Sequence, residues 1–387
     1  MFWLALLTAV ALLNLVTALA AFKKERVPPL LRYPSVTLIC RTWDDDHIVE
    51  RFLNGCLNQD YPGKLQIILA DDASTDRTPE IAKKYKGKIT YVRAKKHHEL
   101  KAEFLNPIIR KYARGEILIN TDIDAVLPKN YVTEMVRWLQ KYDAVSSVCI
   151  GGNPETAVSK MRIVEDIWLF GAGMKGRSVL TSNSALYGGS HAIWMRVLKE
   201  VGYYGTKTLT EDAELTVVLN REGYRTGFCD STVVLLEDVE SVRHYLNERK
   251  RWLHGPINVV RHYPSLQPYN FLVLTNMLLS TVSLASLILT FFNSLFLLPL
   301  LLSLATHTAS LAWSKAKPRV YPWVLLYIFM DPLLELFACL GIVMDTLSRK
   351  GVRWVKVSER KYHIGSPLVP VLRRNHQRLI NSEYEKA

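Results

Sequence analysis

Glu116-Ile117-Leu118-Ile119-Asn120-Thr121-Asp122-Ile123-Asp124 is an apolar run of strand length that ends in two carboxylates one residue apart. Alternate residues of an extended chain point to opposite faces, so Asp122 and Asp124 share a side. Two hard oxygen ligands on one side suit Mg²⁺ or Mn²⁺, which keeps waters and bridges to a diphosphate. Isolated D-x-D pairs are frequent by chance, so the meaning of this one depends on its surroundings.

Outward from it, Val36-Thr37-Leu38-Ile39-Cys40, Leu65-Gln66-Ile67-Ile68-Leu69-Ala70 and Lys88-Ile89-Thr90-Tyr91-Val92 have the same short, β-prone character. Helix-like stretches separate them: His47 to Asn58, Pro79 to Tyr85 and Lys101 to Ala113. Pro79 follows the capping candidates Thr75 and Thr78, where a first helical turn accepts proline. Alternating strands and helices predict an α/β unit over residues 30–265 with a mainly parallel sheet covered on both faces. Ligands on such sheets bind beyond the carboxyl ends of the strands.

Carboxylates gather at those ends. Leu69-Ala70 runs into Asp71-Asp72-Ala73-Ser74-Thr75-Asp76, a pair suited to a base or a ribose and equally to an ordinary turn capping the next helix. Glu211-Asp212 opens the helix-like run Ala213 to Asn220. The plain account of Asp212 is compensation of the helix dipole; the sharper one is a general base within reach of an acceptor hydroxyl. Glu248-Arg249-Lys250-Arg251-Trp252 is read either as a headgroup signal or as a site in which Arg251 clamps a diphosphate and Trp252 stacks on a sugar.

The 387 residues suffice for two or three domains, and 49 Lys+Arg against 36 Asp+Glu leave a net charge of +13. Seventeen Pro and 19 Gly exclude collagen-like and disordered chains. Five scattered cysteines without a CxxC pair argue against a disulfide scaffold or zinc ribbon and favour a reducing compartment. Phe2 to Phe22 is uncharged and long enough for a bilayer core. Ala18-Leu19-Ala20 could pass for a signal-peptidase site, but the charge lies after the run, at Lys23, Lys24 and Arg26. A retained anchor over residues 1–24, with the following chain in the cytosol, is the expectation. Tyr269 to Trp313 has the length of a hairpin around Phe292-Asn293-Ser294. Tyr321 to Leu347, a kinked or re-entrant third segment, contains Asp331-Pro332 and Glu335, read equally as interfacial carboxylates and as functional ones. Residues 269–347 thus form a membrane region, followed by a basic tail at 348–387. The basic residues lie near these segments, so lipid headgroups explain the charge better than a nucleic acid does.

A DD pair, then D-x-D, then T-E-D, then R-W, in a chain anchored at both ends, resembles the membrane-embedded family 2 glycosyltransferases. These include the cellulose, chitin, hyaluronan and poly-N-acetylglucosamine synthases and the ceramide glucosyltransferase-like enzymes. The resemblance covers residues 34–260. Connecting segments agree: Asn58-Gln59-Asp60-Tyr61-Pro62, Lys101 to Asn106, and Trp194-Met195-Arg196 before Glu200-Val201-Gly202-Tyr203, with Tyr321-Pro322-Trp323 and Arg353-Trp354 as a weaker echo near the carboxyl end. It implies a GT-A-like nucleotide-sugar domain and an inverting transfer in which Asp212 is the base and Asp124 the chief metal ligand. Thr42, Asp44, Asp71, Asp72, Lys101 and Asp122 would bind the nucleotide, and Glu211, Arg251 and Trp252 the diphosphate and acceptor. The implied partners are a nucleotide sugar, a UDP-sugar first, with a growing polysaccharide or alternatively a membrane lipid as acceptor, at the plasma membrane. A non-catalytic nucleotide-sugar sensor is the remote alternative. Three departures stand out: Arg41-Thr42-Trp43-Asp44 where a Pro-Ala-Tyr-Asn-like turn is usual, Leu100 in place of a glycine, and Glu248 where Gln or Arg is usual.

Overall fold

Val36 to Cys40 is apolar or β-branched at every position, the composition of a strand buried on both faces. The structure, a computed structural model describing residues 1–152, 154–263 and 274–347, places it at the centre of a sheet. The strands are β1 (Val36–Thr42), β2 (Leu65–Asp71), β3 (Thr90–Arg93), β4 (Ile117–Thr121), β5 (Ala144–Gly151), β6 (Ser190–Trp194) and β7 (Thr226–Leu236). They form one seven-stranded sheet in the order β3-β2-β1-β4-β6-β5-β7. Pairing is parallel except where β6 runs against β4 and β5. The chain builds β1 to β3 outward on one side and returns to the other side of β1 as β4, so the strand order reverses between β1 and β4, and that reversal opens a crevice at their carboxyl ends.

The expected strands coincide with β1 to β4, and the first three soluble helices are α2 (Val49–Leu57), α3 (Thr78–Lys83) and α4 (Lys101–Tyr112). Further along lie α5 (Tyr131–Trp138), α6 (Ala157–Ile167), a π-helical turn (Trp168–Ala172), α7 (Gly173–Thr181), α8 (Met195–Glu200), α9 (Glu211–Arg221) and the long α10 (Val242–His262). Successive β1 side chains serve opposite cores: Leu38 and Cys40 meet Phe52, Leu53 and Trp138, whereas Ile39 joins Leu105, Ile108 and Leu198. Each fully buried Leu or Ile contributes about 1.5–3 kcal/mol, so both layers are held firmly to the sheet.

Three helices are long and apolar enough to cross a membrane: Phe2–Ala20 (α1), Ser294–Trp313, mostly α12 (Leu297–Trp313), and Pro318–Met344, mostly α13 (Trp323–Leu347). The first arm of the expected hairpin is the shorter α11 (Leu279–Thr290), and residues 264–273 before it lie outside the described residues. The third segment is one helix that continues through Pro332. The basic tail at 348–387, with Arg353-Trp354, also lies outside the described residues.

The apolar helices share a core with the sheet: Ile150 of β5, Ile163 of α6 and Phe228 of β7 pack with Leu311, Val324, Tyr327 and Ile328. Helix α1 is docked as closely. A side chain at Gly176 of α7 would run into the backbone of Thr17 in α1, so the crossing depends on glycine there. Just beyond α1, Glu25 accepts from Lys141 at 2.5 Å and from the buried Lys175 at 2.7 Å, and Lys175 also pairs with Asp230 at 3.1 Å. Removing one partner of a buried pair typically costs about 3–5 kcal/mol, against less than about 1 kcal/mol for an exposed one. Lys175→Ala is therefore expected to lose about 3 kcal/mol in denaturant unfolding of the detergent-solubilised protein, and Arg32→Ala, from the exposed Arg32–Glu116 pair, far less. Equal losses would mean that burial is not what holds α1 in place.

Candidate functional site

The crevice at the strand reversal is a cavity walled by the chain after β1, β4 and β7, by Tyr187-Gly188-Gly189, by the start of α9 and by α10. Asp122, Asp124, Glu211, Asp212, Lys101, Arg251 and Trp252 all line it. Residues from three of the sequence motifs and from the Lys101 segment thus meet in one place. The lining carries eight carboxylates, on Asp45, Glu99, Asp122, Asp124, Glu211, Asp212, Glu237 and Glu248, against the cations of Arg41, Lys101 and Arg251.

That imbalance sets the local protonation. Lys101, at the start of α4, places Nζ 2.7 Å from Asp122 and 3.5 Å from Glu211. Burial works against its charge, but the two carboxylates prevail and hold the ammonium above the ordinary lysine range. Asp124 has no such ally. Burial, then the charges of Asp122 and Glu237, push its pKa well above the usual carboxylate value, although it accepts the Glu237 N–H at 3.1 Å and Arg51 lies near. Among the described residues no three or more His, Cys, Asp or Glu side chains gather into a ready-made metal cluster.

Asp212 occupies the first turn of α9. One carboxylate oxygen accepts the Gly188 N–H at 2.6 Å and the other accepts the Ala213 N–H at 2.8 Å. A Cβ at Gly188 would stand 3.1 Å from the first of these oxygens, so glycine lets the backbone donor come close. Burial and the neighbouring Glu211 raise the Asp212 pKa to about 6, with the two N–H groups and Lys101 pulling the other way.

The remaining expected residues sit behind the wall. Asp71 is fully buried and accepts from the Ser74 N–H at 2.8 Å and from the Tyr91 hydroxyl, with Arg93 3.4 Å away. Asp72, equally buried, binds Arg41 at 2.5 Å and the His98 ring at 2.6 Å, with His97 at 3.1 Å. The buried Thr42 donates to Asp45 at 3.0 Å. Asp44, with φ +54°, accepts the Thr75 N–H at 2.5 Å and so ties the turn after β1 to the loop after β2. What this layer presents to the cavity is Arg41 and Trp43, the latter stacked on His97 at 3.9 Å.

Three groups escaped the sequence reading. Glu237, which with Asp238 closes the apolar run Val233 to Leu236, carries the same strand-then-acid signal as Asp71-Asp72 and was legible. Tyr187 and Arg162 had no local signal; the first lines the cavity and the second is buried beneath Trp252.

Residues 39–202 match glycosyl transferase family 2. Beta-monoglucosyldiacylglycerol synthase of Synechocystis is 24% identical over 251 residues, which are 60% of this chain and 51% of that protein. The UDP-forming cellulose synthase catalytic subunit of Pseudomonas fluorescens is 26% identical over 257 residues, 62% of this chain and 34% of that protein. Poly-beta-1,6-N-acetyl-D-glucosamine synthase of Staphylococcus epidermidis is 23% identical over 235 residues, 57% and 54% of the two chains. The chain thus spans about half the length, or less, of these curated relatives. Among solved structures, a mannosyltransferase from Pyrobaculum calidifontis, in complex with GDP-Man and Mn²⁺, superposes with a TM-score of 0.58 over 88% of this chain and 99% of its own, at 21% identity. That likeness is one of fold, a GT-A-like α/β sheet. Residues 39–202 thus form a domain that matches glycosyl transferase family 2, built on a GT-A-like sheet.

Proposed function

We propose that the chain transfers a sugar, with inversion, from a nucleotide-sugar donor to a hydroxyl presented at the membrane side of the cavity. The observation that carries this reading is the single cavity in which Asp212, oriented by two N–H donors, faces the acidic β4 end and Arg251. The acceptor oxygen attacks the anomeric carbon as the bond to the diphosphate breaks, and its proton passes to Asp212. Arg251 offsets the charge growing on the departing nucleoside diphosphate. No covalent sugar–protein species is formed. Trp43 and Arg41 offer the nucleobase a flat ring and a guanidinium, in front of the layer built by Thr42, Asp44, Asp71 and Asp72.

The donor set fits Mg²⁺ or Mn²⁺. Asp122 and Asp124 would hold the ion with few protein oxygens, leaving room for phosphates and water, and the excess negative charge that lifts the Asp124 pKa is what a divalent cation relieves. When bound, the ion supplies Lewis-acid neutralisation of the diphosphate. Lys101 pairs with both Asp122 and Glu211 and so offsets part of the negative charge beside the ion.

A growing polysaccharide is the acceptor we favour. An aromatic face at Trp252 suits a sugar ring, and the cellulose and poly-N-acetylglucosamine synthases are among the relatives. A membrane lipid is the second reading, supported by the direct packing of α1 on α12 and of α11 on α12 and α13, and by the lipid-named relative. The charge after α1 supports a cytosolic catalytic domain on a plasma-membrane anchor.

Purified protein incubated with Mn²⁺ and UDP-glucose, UDP-N-acetylglucosamine or GDP-mannose, with cellobiose, chitobiose or dioleoylglycerol micelles as acceptors, tests the reading. A ladder of long products supports the polysaccharide, a single lipid-sized product supports the lipid, and no turnover of any donor overturns the proposal.

Two predictions accompany it. Transfer requires ionised Asp212, so its rate should fall as pH drops through about 6, approaching tenfold per unit below pH 5. Asp212→Asn should remove that limb and cost about 10²–10⁴-fold in rate with nucleotide binding kept; a fully active variant would end the assignment. Asp124→Asn should cut Mn²⁺-dependent turnover by more than about a hundredfold and weaken Mn²⁺ binding measured by calorimetry with UDP present.

A further inference from the structure

Two features of the sequence find no use in the transfer itself: the carboxylates Asp331 and Glu335 within an apolar helix, and Glu248 in place of Gln or Arg. The structure joins them. Arg249 of α10, with a side chain 1% exposed, pairs with Glu165 of α6, with Asp331 at 3.1 Å and with Glu335 at 3.7 Å. Asp331 is closed off on its other sides by the Tyr245 hydroxyl and by Ser280, which donates at 2.6 Å. A second buried guanidinium, Arg162 of α6, pairs with Glu165 at 3.1 Å, Asp166 at 2.8 Å and Glu248 at 3.0 Å. Glu248 also lies 4.0 Å from Arg251.

Both guanidinium groups end at one ring. Arg162 stands 4.3 Å and Arg249 5.3 Å from the ring centroid of Trp252, and Phe170 of the π-helical turn meets it edge-on at 5.1 Å. A buried guanidinium keeps its place only while its carboxylates hold it, and a guanidinium over an indole fixes the ring's orientation. The attitude of Trp252 in the cavity is therefore set by charges on three elements, one of them the apolar helix α13.

We propose that Asp331, acting through Arg249, and Arg162, held by Glu248, are positioning residues for Trp252, so that the membrane-side helix governs the acceptor end of the cavity and not the donor end. The inference rests on the reading of Trp252 as an acceptor-binding residue.

The test is a double-mutant cycle, using the donor and acceptor that turn over in the screen above. Asp331→Asn should raise the acceptor KM about tenfold, with kcat and hydrolysis of the donor by water within about twofold of the parent. In a Trp252→Ala background the same substitution should raise KM no further. Arg162→Lys, which keeps the charge and loses the planar fork, should behave alike and provides the cycle if Asp331→Asn does not fold. An equal rise in KM in both backgrounds, or hydrolysis falling in step with transfer, would overturn the inference while leaving the transfer reading intact. A parent protein that transfers to no acceptor would sink both.

Discussion

The constraint that organises this molecule is negative charge gathered where water is scarce. Eight carboxylates line the cavity, and the chain answers them with cations delivered from a distance: Lys101 from α4, Arg41 from the end of β1, Arg251 from α10. Each is placed by an element whose packing is settled elsewhere. Lys101 heads a helix whose Ala102, Leu105, Ile108 and Ile109 are fixed in the core below the sheet, so the ammonium reaches Asp122 without much freedom to leave. Electrostatic groups held in advance are worth more than groups that must reorganise on binding. The apolar cores fix where the charges stand.

Within that field three carboxylates take different characters from their neighbours. Asp122 has an ammonium at 2.7 Å, Asp212 has two backbone donors, and Asp124 has one backbone donor with a second carboxylate beside it. Asp212, balanced between burial with Glu211 on one side and its N–H donors on the other, has a pKa raised to about 6. Similar side chains at the ends of neighbouring elements thus acquire different electrostatic surroundings without any change of residue type.

The legibility of the fold follows the same physics. Strands β1, β2 and β4 could be read because each sets three or four buried apolar residues in a row. Strands β5 and β6 could not, because they bury hydroxyls and a histidine: Ser146 accepts the Tyr187 N–H at 2.8 Å, Ser147 and Tyr131 both meet Ser190, and His191 meets the Tyr204 hydroxyl. Those polar residues are satisfied only by partners distant in sequence, so a hydrophobic pattern passes over them. The acidic motifs of the site were legible for the opposite reason, since each adjoins an apolar run and announces itself locally. Arg162 announced nothing. Its meaning comes from Glu248 and Trp252, which lie on another helix far along the chain.

The apolar helices extend this argument past the sheet. A domain merely tethered to apolar helices would keep its own core separate from theirs. Here Tyr327 and Ile328 complete the core that Ile163 and Phe228 begin, and Gly176 allows α7 to lie against Thr17 of α1. Close-packed interiors transmit displacement instead of absorbing it, because a well-filled core has few voids to take up a shift. A carboxylate within such a helix, spending both oxygens on α10 and α11, ties the apolar helix to the element that carries Trp252. The length of chain between Trp252 and Asp331 measures how far the sequence separates groups that the packing treats as one.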